Sequence, residues 1–405
     1  MKKDSLVRQQ YISMIICWLA YTCTCLGRYS YSANIILVEK DYGVTHANAG
    51  LVMTMFATAY GLGQFIHGAL CRKYPRRWIV SISLIVVSLI NLSLFLGVPF
   101  RFIKYLWLIS AVFQSIMWPL CIQIISENVG EELMSKAILL MSTTTSLGTF
   151  LAYGISAVFA GINYKITFLI SSIILFLISV AWYILYKPGD FLKSKNEDNS
   201  NSGIVKEKVI YIVLPIILLG IFSITTNFLK DGIQTWVPNI LKSIKTDLPD
   251  SFSIALTLIL PLFGVFGAFL AVKVNKKIPK AIPLSMFFFG FIALFNAIVY
   301  GFKGSVILTV ISFGLLELLL HASSVAVVSI FPLLMREKMS SGSLAGLLNG
   351  AAYIGTASSS YVLGKIADVS GWSVVFATLF GISVSMFILG AIYLLFSVKY
   401  PKLNV

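Results

Sequence analysis

KPGDFLKSKNEDNSNSGIVKEK, from Lys187 to Lys208, is a polar stretch rich in Lys, Asn, Ser, Gly and Pro that cannot cross a membrane. On either side of it the chain reads as apolar runs of about 20 residues, the length at which a helix crosses a bilayer core, separated by polar or Gly/Pro breaks. Toward the N-terminus the runs lie near 164–186, 137–160, 103–126, 77–98, 48–70 and 11–37. Toward the C-terminus they lie near 209–240, 252–274, 281–301, 305–334, 341–365 and 372–398. The expected fold is an all-α membrane protein of twelve transmembrane helices in two pseudo-symmetric six-helix bundles. Residues 1–186 form the first bundle, 187–208 the linker and 209–405 the second.

Composition leads to the same class. Of 405 residues, 58% are hydrophobic and 12% charged, with mean hydropathy +0.89, against roughly 45–50% apolar and 25% charged in soluble domains. So many apolar side chains must face lipid or one another inside a helical bundle. A net charge of +15 suggests nucleic acid in a soluble protein, but here the basic residues cluster in alternate connections. These are Lys2, Lys3 and Arg8; Arg72, Lys73, Arg76 and Arg77; 187–208; Lys273 to Lys280; Arg336 and Lys338; and Lys399 and Lys402. The positive-inside rule makes those connections cytoplasmic, with both termini inside, and leaves no call for a nucleic-acid partner.

The halves echo each other. GLGQFIHGALCRKYPRR (61–77) resembles PLFGVFGAFLAVKVNKKIPK (261–280) in glycine spacing and in its basic turn, as in a duplicated unit. Gly61, Gly63, Gly68, Gly148, Gly154, Gly264, Gly267, Gly346, Gly350 and Gly355 stand at helical spacing and are expected at close helix contacts. Cys17, Cys23, Cys25, Cys71 and Cys121 make no ligand spacing, so they read as packing residues, with no metal and no cofactor expected. No nucleophile with a paired base, dinucleotide fingerprint or phosphate-binding GxxxxGK[ST] loop is present, which argues against an enzyme.

An ionisable residue deep in a span costs about 2.5–3.5 kcal/mol on insertion scales and is a functional candidate by default. Arg28 falls in the middle of the first span, in YTCTCLGRYSYSANI (21–35), and Lys230 at the corresponding place in the seventh, in TTNFLKDGIQTWVPNIL (225–241). A guanidinium and an ammonium near mid-membrane predict an anionic substrate such as a phosphate ester. The competing reading is permanent pairing with a carboxylate. Asp231 is the obvious partner, although consecutive residues point about 100° apart on a helix. Glu317 and His321, four apart on one face of the tenth span, are equally readable as proton-coupling groups or as a satisfied structural contact. His67 reads as interfacial and His46 as a residue of an outer loop.

Several segments carry a family resemblance. They are Tyr21 with Arg28, GLVMTMFATAYGLGQFIHG (50–68), FQSIMWP (113–119), LKDGIQTWVPNIL (229–241) and GKIADVSGWSVVF (364–376). Together they resemble the major facilitator superfamily, and within it the organophosphate:phosphate antiporter group that includes the glycerol-3-phosphate and hexose-6-phosphate carriers. The resemblance implies that Arg28 and Lys230 bind a phosphate moiety and that Tyr21, Gln114, Trp118 and Asn227 line the cavity. It also implies exchange against inorganic phosphate by alternating access. The sequence departs from the family pattern at Lys230, which replaces an arginine and loses its bidentate fork. It departs again at Thr145, where a histidine is frequent, at Gln64, where a lysine is, and at Cys71-Arg72-Lys73, where an aspartate is usual.

Two other readings stand beside exchange. One is proton-coupled symport of a carboxylate or sugar acid through Glu317 and His321; the other is a transporter-like membrane sensor of phosphate esters. The expected partners are a small anionic solute and the lipid bilayer. A monomer suffices for a fold that encloses its own pathway, and Lys, Ile and Asn usage fits a bacterial plasma membrane.

Overall fold

The computed structural model describes residues 2–70, 74–186, 210–302, 304–335 and 341–399. The linker 187–208 and the basic residues Arg72, Lys73, Arg336, Lys338 and Lys402 lie outside the described residues. Every regular element described is helical. In the first half these are α1 (Lys2–Ala33), α2 (Ile35–Tyr42), α3 (His46–Leu70), α4 (Arg76–Phe95), α5 (Phe100–Ser115), α6 (Met117–Asn128), α7 (Glu131–Ser142), α8 (Thr144–Phe159) and α9 (Ile166–Leu185). The second half contributes α10 (Ile210–Ile244), α11 (Asp250–Leu256), α12 (Ile259–Asn275), α13 (Ala281–Gly301), α14 (Val306–Val325), a π-helical turn (Ala326–Ile330), α15 (Phe331–Leu334), α16 (Ser341–Ser370) and α17 (Trp372–Lys399).

These elements stack into twelve helical columns. Ten are long and apolar enough to cross a membrane. The fifth and eleventh columns are not, for different reasons. In the fifth, the apolar part is only the short α8 (Thr144–Phe159); the eleventh, α16, is diluted by Gly, Ser and Thr. These two pack along α1 and α10 respectively, and there a small surface matters more than apolarity.

Breaks inside columns have local causes. Asn34 separates α1 from α2, with its side-chain amide donating to the Ser30 carbonyl (2.9 Å) and its Oδ1 accepting from Ser156 (2.6 Å). Pro119 lacks the N–H that would bond the Ser115 carbonyl, and the column changes from α5 to α6 there. Pro332 follows the π-helical turn, so the fourth and tenth columns both deviate just before an aromatic-Pro pair, Trp118-Pro119 and Phe331-Pro332.

The chain packs as two compact units. The first contains α1, α2, α3 from Met55 onward, α4 to α9, and α11 up to Ala255; the second contains Val44–Thr54, α10, and the chain from Leu256 through α17. Equivalent pairings recur in both. α1 packs on α8 as α10 packs on α16, and α4 packs on α9 as α13 packs on α17. A Cβ on Gly148 would sit 2.5 Å from Cys25 Cβ and 2.6 Å from the Thr22 carbonyl oxygen; one on Gly355 would collide with the Ile224 carbonyl oxygen and sit 2.9 Å from its carbonyl carbon and from the Phe228 nitrogen. Only glycine permits these approaches. Gly154 and Gly346, by contrast, have nothing within 4 Å of such a Cβ, so the expectation of a close contact at every spaced glycine fails there.

Buried hydroxyls fasten the α4–α9 pair. Ser88 donates to the Ser172 carbonyl (2.8 Å) and Ser179 to the Ser81 carbonyl (3.0 Å). In the α13–α17 pair, Asn296 donates to Ser383 Oγ (2.8 Å). Each such bond contributes about 0.6 kcal/mol in lipid, so backbone proximity carries most of the association.

Candidate functional site

Two clusters of polar and charged side chains stand inside the units, one in each. In the first, α1 turns Arg28 inward, where it is only 8% exposed. Its guanidinium carbon lies 4.7 Å from the Tyr29 ring centroid, 5.2 Å from that of Tyr60 and 5.7 Å from that of Phe56. Phe56 and Tyr60 are one turn apart on α3 and stack on each other at 5.6 Å. The guanidinium donates to Cys25 Sγ (3.5 Å), whose thiol faces Thr145 Oγ1 at 4.0 Å. Arg28 Nε is buried with no hydrogen-bond partner, and among the described residues no carboxylate lies within ion-pair distance of this cation. Faces of aromatic rings attract a cation, by about 2 kcal/mol or more per ring when desolvated, but they do not accept a hydrogen bond from Nε.

The structure brings three expected residues to this cluster and leaves one beside it. Tyr21 and Tyr60 share a hydroxyl–hydroxyl bond of 3.1 Å, and the Tyr21 ring packs on Trp118 at 4.9 Å. Tyr21, Trp118 and Arg28 are therefore joined through Tyr60. Gln114 is buried one turn before Trp118, but its amide donates to Ser110 Oγ on its own helix (2.9 Å). Thr145, expected only as the replacement of a histidine, reaches the arginine through Cys25. Phe56, Tyr60 and Tyr29 were missed as site residues. The four-residue spacing of Phe56 and Tyr60 in an otherwise small-residue segment was the available signal.

In the second unit, Lys230 Nζ lies 3.6 Å from Asp231 Oδ1, with both side chains about one-fifth exposed. This corrects the expectation that adjacency on a helix keeps them apart: the flexible four-carbon stem of lysine bends back to reach its neighbour. Asp231 in turn accepts from Thr356 Oγ1 of α16 at 2.5 Å. Glu317 is 7% exposed, its Oε2 has no hydrogen-bond partner, and it stands within electrostatic reach of Lys230 and Asp231; His321 is within reach of Lys230. Both face α12, where a Cβ on Gly264 would meet Glu317 Oε1 at 3.4 Å and one on Gly267 would meet His321 Cβ at 2.8 Å. They share a helix face as their spacing requires, yet among the described residues no hydrogen bond joins them. Asn227 is buried and donates to the Ser223 carbonyl of its own helix (2.9 Å).

The other histidines fall elsewhere. His46 is the first residue of α3 and not a loop residue. Its N–H and that of Ala47 donate to Asp368 (3.0 and 2.7 Å), and its ring packs on Trp236 and Trp372. Two of the orphan donors at the helix start are satisfied by a carboxylate from α16, which is what allows the helix to begin there. His67 shares a hydrogen bond with the Tyr74 hydroxyl (2.6 Å).

A family model described as Major Facilitator Superfamily matches residues 17–341. The chain is similar to the membrane sensor protein UhpC of Escherichia coli (strain K12), at 24% identity over 113 residues, 28% of this chain and 26% of that protein. It is likewise 25% identical to UhpC of Salmonella typhimurium over the same length. The alignment thus spans about a quarter of those relatives. Among solved structures, a bacterial homolog of the human lysosomal transporter Spinster, in an inward-facing and unoccupied conformation, superposes with TM-score 0.74 at 14% identity, covering 98% of this chain and 97% of that one. The nucleoside transporter NupG superposes with TM-score 0.75 at 12% identity, covering 95% and 98%.

Proposed function

Because this chain belongs to the major facilitator superfamily and is a transporter of small solutes rather than an enzyme, we propose that its solute is an organic anion, a phosphate ester exchanged for inorganic phosphate by alternating access. The observation that carries the reading is Arg28. A guanidinium deep in a membrane helix, cupped by aromatic faces and without a carboxylate among the described residues, has N–H groups left for a ligand. A phosphate oxyanion satisfies both the charge and the planar donor fork. Tyr21, Tyr60 and Trp118 then supply a hydroxyl and flat surfaces for the organic part. Lys230, with Asn227 one turn before it on α10, is a second anion contact, released from Asp231 as substrate binds, and Gln114 stands one turn before Trp118 in the first unit.

The scheme needs no cofactor. An empty carrier holding an uncompensated Arg28 reorients slowly, and a bound anion lowers that cost, which is the condition for exchange rather than leak. By the positive-inside rule the termini are cytoplasmic; Lys, Ile and Asn usage fits a bacterial plasma membrane, and a fold that encloses its own pathway needs only a monomer.

Two further readings each have an observation in their favour. Glu317, buried with an unpartnered oxygen near Lys230, favours proton coupling. The similarity to UhpC favours sensing of a solute without net transport. Uptake of radiolabelled phosphate into phosphate-loaded proteoliposomes separates the three. Exchange that is competed by phosphate esters and insensitive to a pH gradient supports the anion antiporter. Uptake of a carboxylate driven by an inward proton gradient supports symport, and binding of phosphate esters with no flux supports a sensor.

A further inference from the structure

A groove of about 480 Å³ opens on the outer face of the α13–α17 pair. Its floor on α13 is Pro283, Met286, Phe287, Gly290, Phe291 and Leu294, and its wall on α17 is Phe387. Phe287, Phe291, Leu294 and Phe387 are all exposed in the protein alone. Gly290 keeps the floor low: a Cβ there would come within 3.2 Å of the Phe387 ring.

The groove has a direction. Tyr300 stacks near Phe380, Gly290 lies against Phe387 and Gly390 against Met286, so α13 and α17 run antiparallel. The start of α13 and the end of α17 at Lys399 are therefore on one side. On that side Ile278 lines the mouth, within the sequence Lys276-Lys277-Ile278-Pro279-Lys280. Lys276, Lys277 and Lys280 are exposed, and none has an ion-pair partner among the described residues. From Pro283 to Leu294 a helix rises about 17 Å, close to the roughly 15 Å depth of one leaflet of hydrocarbon.

We propose that this groove is a binding site for an anionic phospholipid of the leaflet on the Lys276–Lys280 side, one acyl chain lying along Pro283 to Leu294 and the headgroup held by the three lysines. Two features select a lipid over a second copy of the chain. A groove walled by phenylalanine does not offer the flat small-residue face on which membrane helices pair. A two-fold contact would also bring two unpaired basic turns toward each other. The matched depth and the cationic mouth are what an acyl chain with a negative headgroup requires.

The test is native mass spectrometry of the full-length protein titrated with phosphatidylglycerol or phosphatidylcholine of identical acyl chains. Wild type should retain one phosphatidylglycerol at least about tenfold more tightly than phosphatidylcholine. Lys276→Gln/Lys277→Gln/Lys280→Gln, which alters only exposed side chains, should remove that preference and keep weak binding of both lipids. Gly290→Leu should remove the tight site for both. Equal retention of the two lipids by wild type, or an unchanged preference in the lysine variant, would overturn the proposal. A dimer that Gly290→Leu dissociates would overturn it in favour of a second copy.

Discussion

Arg28 and Lys230 occupy corresponding positions of a repeated unit, yet their surroundings differ in kind. Arg28 is ringed by Tyr29, Phe56 and Tyr60 and donates to a thiol. Lys230 stands beside Asp231, with Glu317 in electrostatic reach and Thr356 bonded to the aspartate. Among the described residues one cation has no carboxylate within ion-pair distance and the other has one. Corresponding positions on α1 and α10 therefore do not imply equivalent surroundings.

The comparison breaks most visibly at Arg28. Arg28→Ala should reduce phosphate exchange by roughly 100-fold, the loss of a charge-assisted contact of about 3 kcal/mol, while the protein still inserts and purifies, because no carboxylate among the described residues is stranded. Arg28→Lys should recover only part of the activity, since the fork is lost.

Lys230→Ala should behave differently. It leaves Asp231 without its ammonium, so both yield and exchange should fall, the latter about tenfold. Lys230→Ala/Asp231→Asn should restore yield, read by fluorescence-detected size exclusion, without restoring full exchange. If the single variant were as well folded as wild type, the ion pair would not be what distinguishes the two clusters.

Glu317→Gln sharpens the contrast further. Under anion exchange it should change the rate by no more than about threefold, and under proton coupling it should abolish acceleration by a pH gradient. The smallest effect belongs to Asp41, at the end of α2. Its carboxyl is held below the usual range by hydrogen bonds from Lys165 and Tyr164 and by the Lys165 charge. A lowered folded-state pKa stabilises above the ordinary carboxylate value and is lost as pH falls through the folded one. This partly exposed group is screened, so Asp41→Asn should lower Tm by only a degree or two at neutral pH, with no difference left at strongly acid pH.

The columns were legible because length and hydropathy are properties of the chain alone, and the polar stretch 187–208 divides them. Where packing overrides hydropathy they were less so: α16 approaches α10 closely at Gly355 and at Ser360, whose carbonyl accepts from Trp236, so small residues stand where apolar ones would be expected. Arg28 stood out because a charge in an apolar run has no trivial explanation. Its box did not, because Phe56 and Tyr60 arrive from another helix and aromatic residues in a span usually pack. The Lys230–Asp231 pair was misread because helix geometry fixes Cβ directions but not where a long flexible stem ends.

The most direct test of the central claim is calorimetric titration of inorganic phosphate into purified wild type, Arg28→Ala and Lys230→Ala. The account predicts no measurable binding to Arg28→Ala and binding to Lys230→Ala weakened by about tenfold. Phosphate binding to Arg28→Ala with the wild-type Kd would contradict it.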